Sequence, residues 1–437
     1  MAEFLPFHGL RYDTLKVNLA DVLAPPYDVI KGAMRAELEA RSSYNVVGVE
    51  LPEGEGDAKY ENAAHLLQQW KSDGVLVRDD PAFYIYEQEF AVPGSGETKQ
   101  RRGILGALTL EEFGQGVQPH EHTLSGPKED RLKLLRATRT NTSPIFGLFA
   151  DDDGWVESVF TAVCVERPIA EARDAEGITH RLWRLTDDES VNAIVAALED
   201  EPILIADGHH RYETALNYRN EQRAARHEWS GGEAANAVLM MCVSTNDNGL
   251  IVLPTHRVVK GIQDADLTRL LESLKAYFDI ETLDQGEVAA QAAELTQRIN
   301  QSAGDPARLG MQLNYADGHG ASYLLTLRPG GGHLADMDAQ RSSAYNALDV
   351  TILHTLILDK QLGIGPEALA AGGRVAYTID AAEAMKPISG EATAAFLLRP
   401  TPVQQVREVA AAGDKMPQKS TYFYPKLVTG MVLRPLD

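Results

Sequence analysis

The densest chemistry in the chain lies at Asp207-Gly208-His209-His210-Arg211, directly after the apolar run from Ile203 to Ala206. A carboxylate, a glycine, two imidazoles and a guanidinium within five positions suit the handling of an anion, above all a phosphate. The apolar run predicts a buried strand, and a helix begins at once after the Asp-Gly turn. Asp207 is expected to accept hydrogen bonds at the helix start, and Gly208 lets the backbone turn without a Cβ clash. The first helical turn then offers N–H groups and the positive end of the helix dipole to a negative ligand. Arg211 can hold two phosphate oxygens at once, which a lysine does less well. A plain helix cap needs one polar residue, so three cationic or cationisable side chains in a row exceed structural need.

A second dense stretch is His120-Glu121-His122-Thr123, followed by Ser125-Gly126-Pro127-Lys128-Glu129-Asp130-Arg131. On a strand His120 and His122 would face the same side, and a metal would need a third ligand such as His209 or Glu213. His209 and His210 diverge by about 100° on a helix and cannot easily share one ion. Structural zinc is not expected; magnesium held by carboxylates together with a bound phosphate fits better. Asp151-Asp152-Asp153-Gly154 lacks the spacing of a calcium loop and reads as a solvated acidic turn. Pro25-Pro26-Tyr27-Asp28 is a stiff turn that could aim Tyr27 and Asp28 at a pocket, although taken alone it reads better as a surface turn. The polar-aromatic stretch from Met416 to Lys426 suggests docking near a functional surface. Neither cysteine lies near the central motif, and the chain has no G-x-S-x-G elbow, Walker loop or G-x-G-x-x-G before a helix.

The elements that must position these groups follow from hydrophobic spacing. Helices are expected at 31–42, 57–72, up to about 138, at 189–198, from 209 to about 227, twice within 264–304, and at 346–361. Strands are expected at 46–51, 145–149, 182–185, 203–206, 237–244, 374–379 and 394–398. Two hairpins are expected, one of 83–92 with 101–110 and one over 312–327. The fold class is therefore α/β with mixed α+β sheets. At 437 residues the chain exceeds one ordinary core. Three regions are expected: 1–150, an α+β part contributing to the site; 151–260, the core with the central motif; and 261–437, whose tail returns to the site. With 63 acidic against 41 basic residues the net charge is −22, which disfavours nucleic acid as a partner. Two cysteines outside any CxxC pair, no signal pattern and no bilayer-length apolar run point to a cytoplasmic protein without a membrane partner.

Ala-Asp-Gly-His-His-Arg-Tyr-Glu-Thr-Ala-Leu at 206–216 resembles the signature of the bacterial and archaeal family known as domain of unknown function 1015. His120-Glu121-His122-Thr123, Ser143-Pro144-Ile145-Phe146, Ala24-Pro25-Pro26-Tyr27-Asp28-Val29-Ile30 and the 416–426 stretch resemble it too, so the likeness spans nearly the whole chain. Short archaeal relatives with the Asp-Gly-His-His-Arg block are free-serine kinases with a fold like ParB and sulfiredoxin. They make O-phosphoserine from ATP or ADP with Mg2+. The resemblance implies a ParB/sulfiredoxin-like core with added α+β segments on both sides. It also implies that 207–211 cradle nucleotide phosphates; Gly208, His120, Thr123, Arg131, Ser143, Lys419 and Ser420 are further candidate binding residues, with Lys419 or Arg131 a candidate clamp for the amino-acid carboxylate or a phosphate. Asp207, His209, His210 and Arg211 are the expected catalytic group, with Glu121, Asp28 or Asp207 as proton acceptor. His209 stands where sulfiredoxin needs a cysteine, which excludes sulfur chemistry. The expected partners are serine or a similar small hydroxyl acceptor and a nucleotide. Homo-oligomerisation stays open, and no metal ligand set is fixed. The alternative is a nucleotide- or phosphate-sensing regulator without turnover.

Overall fold

The structure, a computed structural model, describes residues 2–121, 125–301 and 306–437, with the side chains of 125–127 left aside. The chain forms two compact units: residues 1–119, 123–251 and 423–437 make one, and residues 120–122 and 252–422 the other. Both mix helices with sheets, so the fold class is α+β.

The first unit is built on a nine-stranded sheet. Its order is Val117–Pro119, Ile203–Asp207, Ile145–Phe149, Ala237–Ser244, Thr98–Thr109, Phe83–Ala91, Thr179–Leu185 and Ala170–Arg173, with Phe4–Leu5 paired to Thr98–Thr109. Ile203–Asp207 runs parallel to Val117–Pro119 but antiparallel to Ile145–Phe149, which is parallel to Ala237–Ser244. The hairpin expected from the alternating aromatics is present, with Tyr84 opposite Leu105. Consecutive buried residues in Phe83–Ala91 and Ala237–Ser244 mark strands covered on both faces. One face packs Phe83, Ile85, Ile145, Ile203 and Ile205 against Phe160, Ile194, Leu198, Tyr212 and Leu216 of the covering helices.

Residues 46–51 differ from expectation: Val47–Glu50 is a short helix, not a strand. The Asn45 side chain accepts the Val47 N–H at 2.9 Å and donates to the carbonyls of Asp21 and Leu23, which fixes a turn where an apolar run alone would extend. The acidic turn at 151–154 is not wholly solvated either. Asp151 is buried and its carboxylate accepts N–H groups from Val156 and Glu157 at the start of a helix.

The second unit carries a six-stranded antiparallel sheet in the order Phe278–Thr282, Gly320–Leu327, Arg308–Asn314, Ala392–Leu397, His256–Ile262 and Val375–Thr378. Period-two alternation sorts its residues between two cores. Val259, Leu325, Ala394 and Phe396 pack with Leu267, Leu270 and Leu274 of helix Asp264–Leu274. Val258, Leu324, Ala395 and Leu397 pack with Ala292, Leu295 and Ile299 of helix Val288–Asn300. The helix expected at 346–361 begins as α over Asp349–Ile352 and widens to a π-helix over Leu353–Asp359. Among the described residues, no helix is long and apolar enough to cross a membrane. Both cysteines are free thiols.

Candidate anion-binding site

Where Ile203–Asp207 pairs with Ile145–Phe149 the register shifts: Ile205 faces Gly147, but Asp207 faces Phe146. This bulge redirects the strand end just before the turn. Gly208 then adopts φ 96°, and helix His209–Ala224 begins. A Cβ at position 208 would lie 3.0 Å from Arg211 Nε, so both backbone angle and close approach require glycine. The helix has no side-chain cap and no acidic residue in its first turn.

Asp207 does not cap it. One carboxylate oxygen accepts from Arg211 Nη2 at 2.7 Å, the other from Lys426 Nζ at 2.5 Å. The other Arg211 terminal nitrogen donates to the Pro144 carbonyl. The side chains of Asp207, Arg211 and Lys426 are only 22, 11 and 15% exposed. Burial works against the Asp207 charge, but Lys426, Arg211 and His209 outweigh it and hold its pKa well below the usual carboxylate range. His209 is buried, while His210 and Arg211 are partly open.

Lys426 reaches this place because the strap around it is clamped by the sheet. Fully buried Arg101 donates to the carbonyls of Tyr424 at 3.2 Å and Pro425 at 2.5 Å. Gln88 donates to the Lys426 carbonyl at 3.0 Å, and the Val428 backbone lies near enough to the Tyr86 hydroxyl to oppose the rise that burial gives its pKa. That hydroxyl lies 2.8 Å from His180 Nδ1, whose Nε2 lies 3.0 Å from Asp174. Tyr86 and Gln88, two apart on one strand, share a face. Burial pushes the Arg101 pKa down to about 10, against Tyr86, Asp247 and Asp207.

A second cluster adjoins through Ser143-Pro144. Glu50, 1% exposed, accepts the Thr142 hydroxyl and, at 3.1 Å, the Ser143 hydroxyl. Arg131 Nη1 lies 3.7 Å from the Glu50 carboxylate, and its guanidinium covers the Tyr27 ring at 4.4 Å. Burial pushes the Tyr27 hydroxyl up to about 12, with Arg211 the largest opposing influence, so Tyr27 feels both clusters. Asp28 is exposed beside it.

The remaining expected residues belong to the second unit. His120 is fully buried with Nε2 3.0 Å from Thr421 Oγ1. Glu121 accepts the Lys419 N–H at 2.5 Å, and Arg257 donates to the Lys419 carbonyl at 2.9 Å. Ser420 donates to the Pro417 carbonyl. The structure thus brings Arg131, Ser143 and 207–211 into one unit, with Asp28 beside Tyr27, and His120, Glu121, Lys419 and Ser420 into the other. His122 and Thr123 lie outside the described residues. Among the described residues no cluster of three or more His, Cys, Asp or Glu could hold a metal ion. Lys426, Arg101 and Glu50 were not expected. For Lys426 the one signal in the sequence is its place in the polar-aromatic tail, which it shares with Lys419.

Two cations close on one carboxylate leave an excess positive charge at an uncapped helix start, with buried Arg101 adding to it. Such a place attracts an anion and can bind it through backbone and side-chain donors together.

The profile of a family described as protein of unknown function (DUF1015) matches residues 4–351. No curated protein matches the chain. Among solved structures, a mutant free serine kinase in complex with ADP is similar at 13% identity and TM-score 0.31, covering 72% of this chain and 89% of its own. C-terminally truncated SbnI from Staphylococcus aureus is similar at 10% identity and TM-score 0.34, covering 76% and 87%. A conserved hypothetical protein from Pyrococcus furiosus is similar at 14% identity and TM-score 0.30, covering 73% and 94%.

Proposed function

The chain belongs to the DUF1015 family, and we propose that it is a nucleotide-dependent phosphotransferase acting on free L-serine or a similar small hydroxyl acceptor. One observation carries this: Arg211 and Lys426 converge on Asp207 at the uncapped start of helix His209–Ala224. Phosphoryl transfer requires charge neutralisation and positioning more than covalent help. Phosphate oxygens of ATP or ADP would take the first-turn N–H groups and share Arg211 and Lys426 with Asp207. The acceptor oxygen bonds to phosphorus as the bond to the leaving phosphate breaks, and the hydroxyl proton passes to a carboxylate. A carboxylate whose pKa is held as low as that of Asp207 is a poor proton acceptor. Its role here is to keep the two cations parallel and ready. Asp207 and Glu50 are both engaged by protein donors, so a magnesium ion at this place would draw most of its ligands from phosphate and water.

Those engaged carboxylates also favour the rival, a protein that senses nucleotide without turnover. Incubating the protein with L-serine, Mg2+ and ATP or ADP decides between them. O-phosphoserine supports the transferase. Nucleotide binding without O-phosphoserine from either donor removes the serine assignment and leaves the sensor.

A further inference from the structure

The second unit contains a cavity of about 310 Å3 that the phosphate site does not use. It lies along the π-helix Leu353–Asp359, where Lys360 N–H reaches back five residues to the Thr355 carbonyl. The wider turn matters. In an α-helix residues five apart point in different directions, whereas the π-turn brings His354 and Asp359 onto one wall of the cavity.

Three features define what that wall can bind. His354 Nε2 is buried and has no hydrogen-bond partner, a state that costs free energy until a ligand supplies one. Burial first, and Arg257 second, push the His354 pKa well below its usual value, so the ring is neutral and offers an acceptor nitrogen or a single donor. Asp359 brings a carboxylate, and the missing side chain at Gly365 makes room for it: a Cβ there would lie 2.9 Å from Asp359 Oδ1.

Tyr345, Tyr377, Ile364 and Leu369 also line the cavity and supply body contacts. Arg341 lines it too, but its guanidinium is paired with Asp414 at 3.1 Å and Asp338 at 3.7 Å and sits over the Tyr345 ring. The Arg341 cation is therefore compensated, and Arg257 is engaged by the Thr255 and Lys419 carbonyls and the Tyr377 ring, so Asp359 is the carboxylate open to a cationic ligand. The cavity's volume is at the low end for small-molecule sites.

We propose that this cavity binds a small organic amine, its apolar or aromatic body between the tyrosines and Leu369 and its amino group shared by Asp359 and His354 Nε2. An ammonium has three donors, enough for both acceptors. The proposal stands apart from the phosphotransferase assignment and survives its failure.

The test uses the full chain with 2-phenylethylamine and its anionic counterpart 3-phenylpropionate as probes. Calorimetry is combined with imidazole 15N NMR. The amine should bind and shift the His354 Nε2 signal, the carboxylate should do neither, and Asp359→Asn should weaken amine binding by at least ~10-fold. Ala370→Phe, which fills the cavity from its lining, should abolish binding. Asp359 is exposed, so its exchange leaves the packing intact even where the filled variant folds poorly. Equal binding of the carboxylate, undiminished binding in Asp359→Asn, or no binding of the amine would overturn the proposal.

Discussion

Lys426→Ala removes one of the two cations that Asp207 holds, and its consequences can be worked out from the geometry. The pair is 2.5 Å long with side chains 15 and 22% exposed. Breaking one side of a fully buried ion pair costs about 3–5 kcal/mol. Here Arg211 stays on the other carboxylate oxygen, and both partners keep some solvent, so a loss of about 1–3 kcal/mol is expected. For a bound phosphate, losing one charge-assisted hydrogen bond of about 1.5–3 kcal/mol weakens affinity by about 10- to 150-fold. The pH dependence has a definite sign. Asp207 is depressed in the folded state, so its contribution is present above the unfolded value near ~3.9 and disappears as pH falls through the folded value. In Lys426→Ala the folded value moves up toward ~3.9, so wild type and variant differ most at neutral pH and converge in acid. Calorimetric ADP titration and melting curves from pH 7 down to acid measure both effects. An ADP affinity within about twofold of wild type, or a melting difference that does not narrow in acid, would refute the reasoning.

Arg211→Lys keeps the charge but cannot bridge Asp207 and the Pro144 carbonyl together, so ADP affinity should fall about 10-fold in the same titration. Gly208→Ala forces a side chain into φ 96° and against Arg211; a stability loss of about 1–2 kcal/mol with weaker ADP binding is expected, measured by denaturant unfolding. Tyr86→Phe leaves His180 Nδ1 without its hydroxyl partner and removes the hydroxyl near the Val428 backbone, for about 1–3 kcal/mol of stability, and the loosened strap should weaken ADP binding as well. Unchanged ADP affinity in Tyr86→Phe would mean that the clamp does not position Lys426.

Much of this architecture is legible in the sequence because hydrophobic period decides it. The strand Ile203–Asp207, the helix after it, the hairpin of Phe83–Ala91 with Thr98–Thr109 and both amphipathic helices of the second unit fall where spacing puts them. Long-range pairing is not legible in this way. Lys426 lies 219 residues from Asp207, and nothing local distinguishes it from Lys419, which instead donates its backbone N–H to Glu121. Asp207 has the residue type of a cap, yet two distant cations claim its carboxylate. Glu50 was hidden by its apolar neighbours, because one side-chain contact from Asn45 turns an extended-looking run into a helix. The widening of Leu353–Asp359 into a π-helix leaves no periodic trace in seven residues.

The most direct test of the central claim is a crystal structure of the protein with ADP and Mg2+. The account predicts phosphate oxygens within hydrogen-bond reach of Arg211 and Lys426, at the first turn of helix His209–Ala224. ADP seated elsewhere, with both ion pairs to Asp207 unchanged and no anion at that turn, would contradict it.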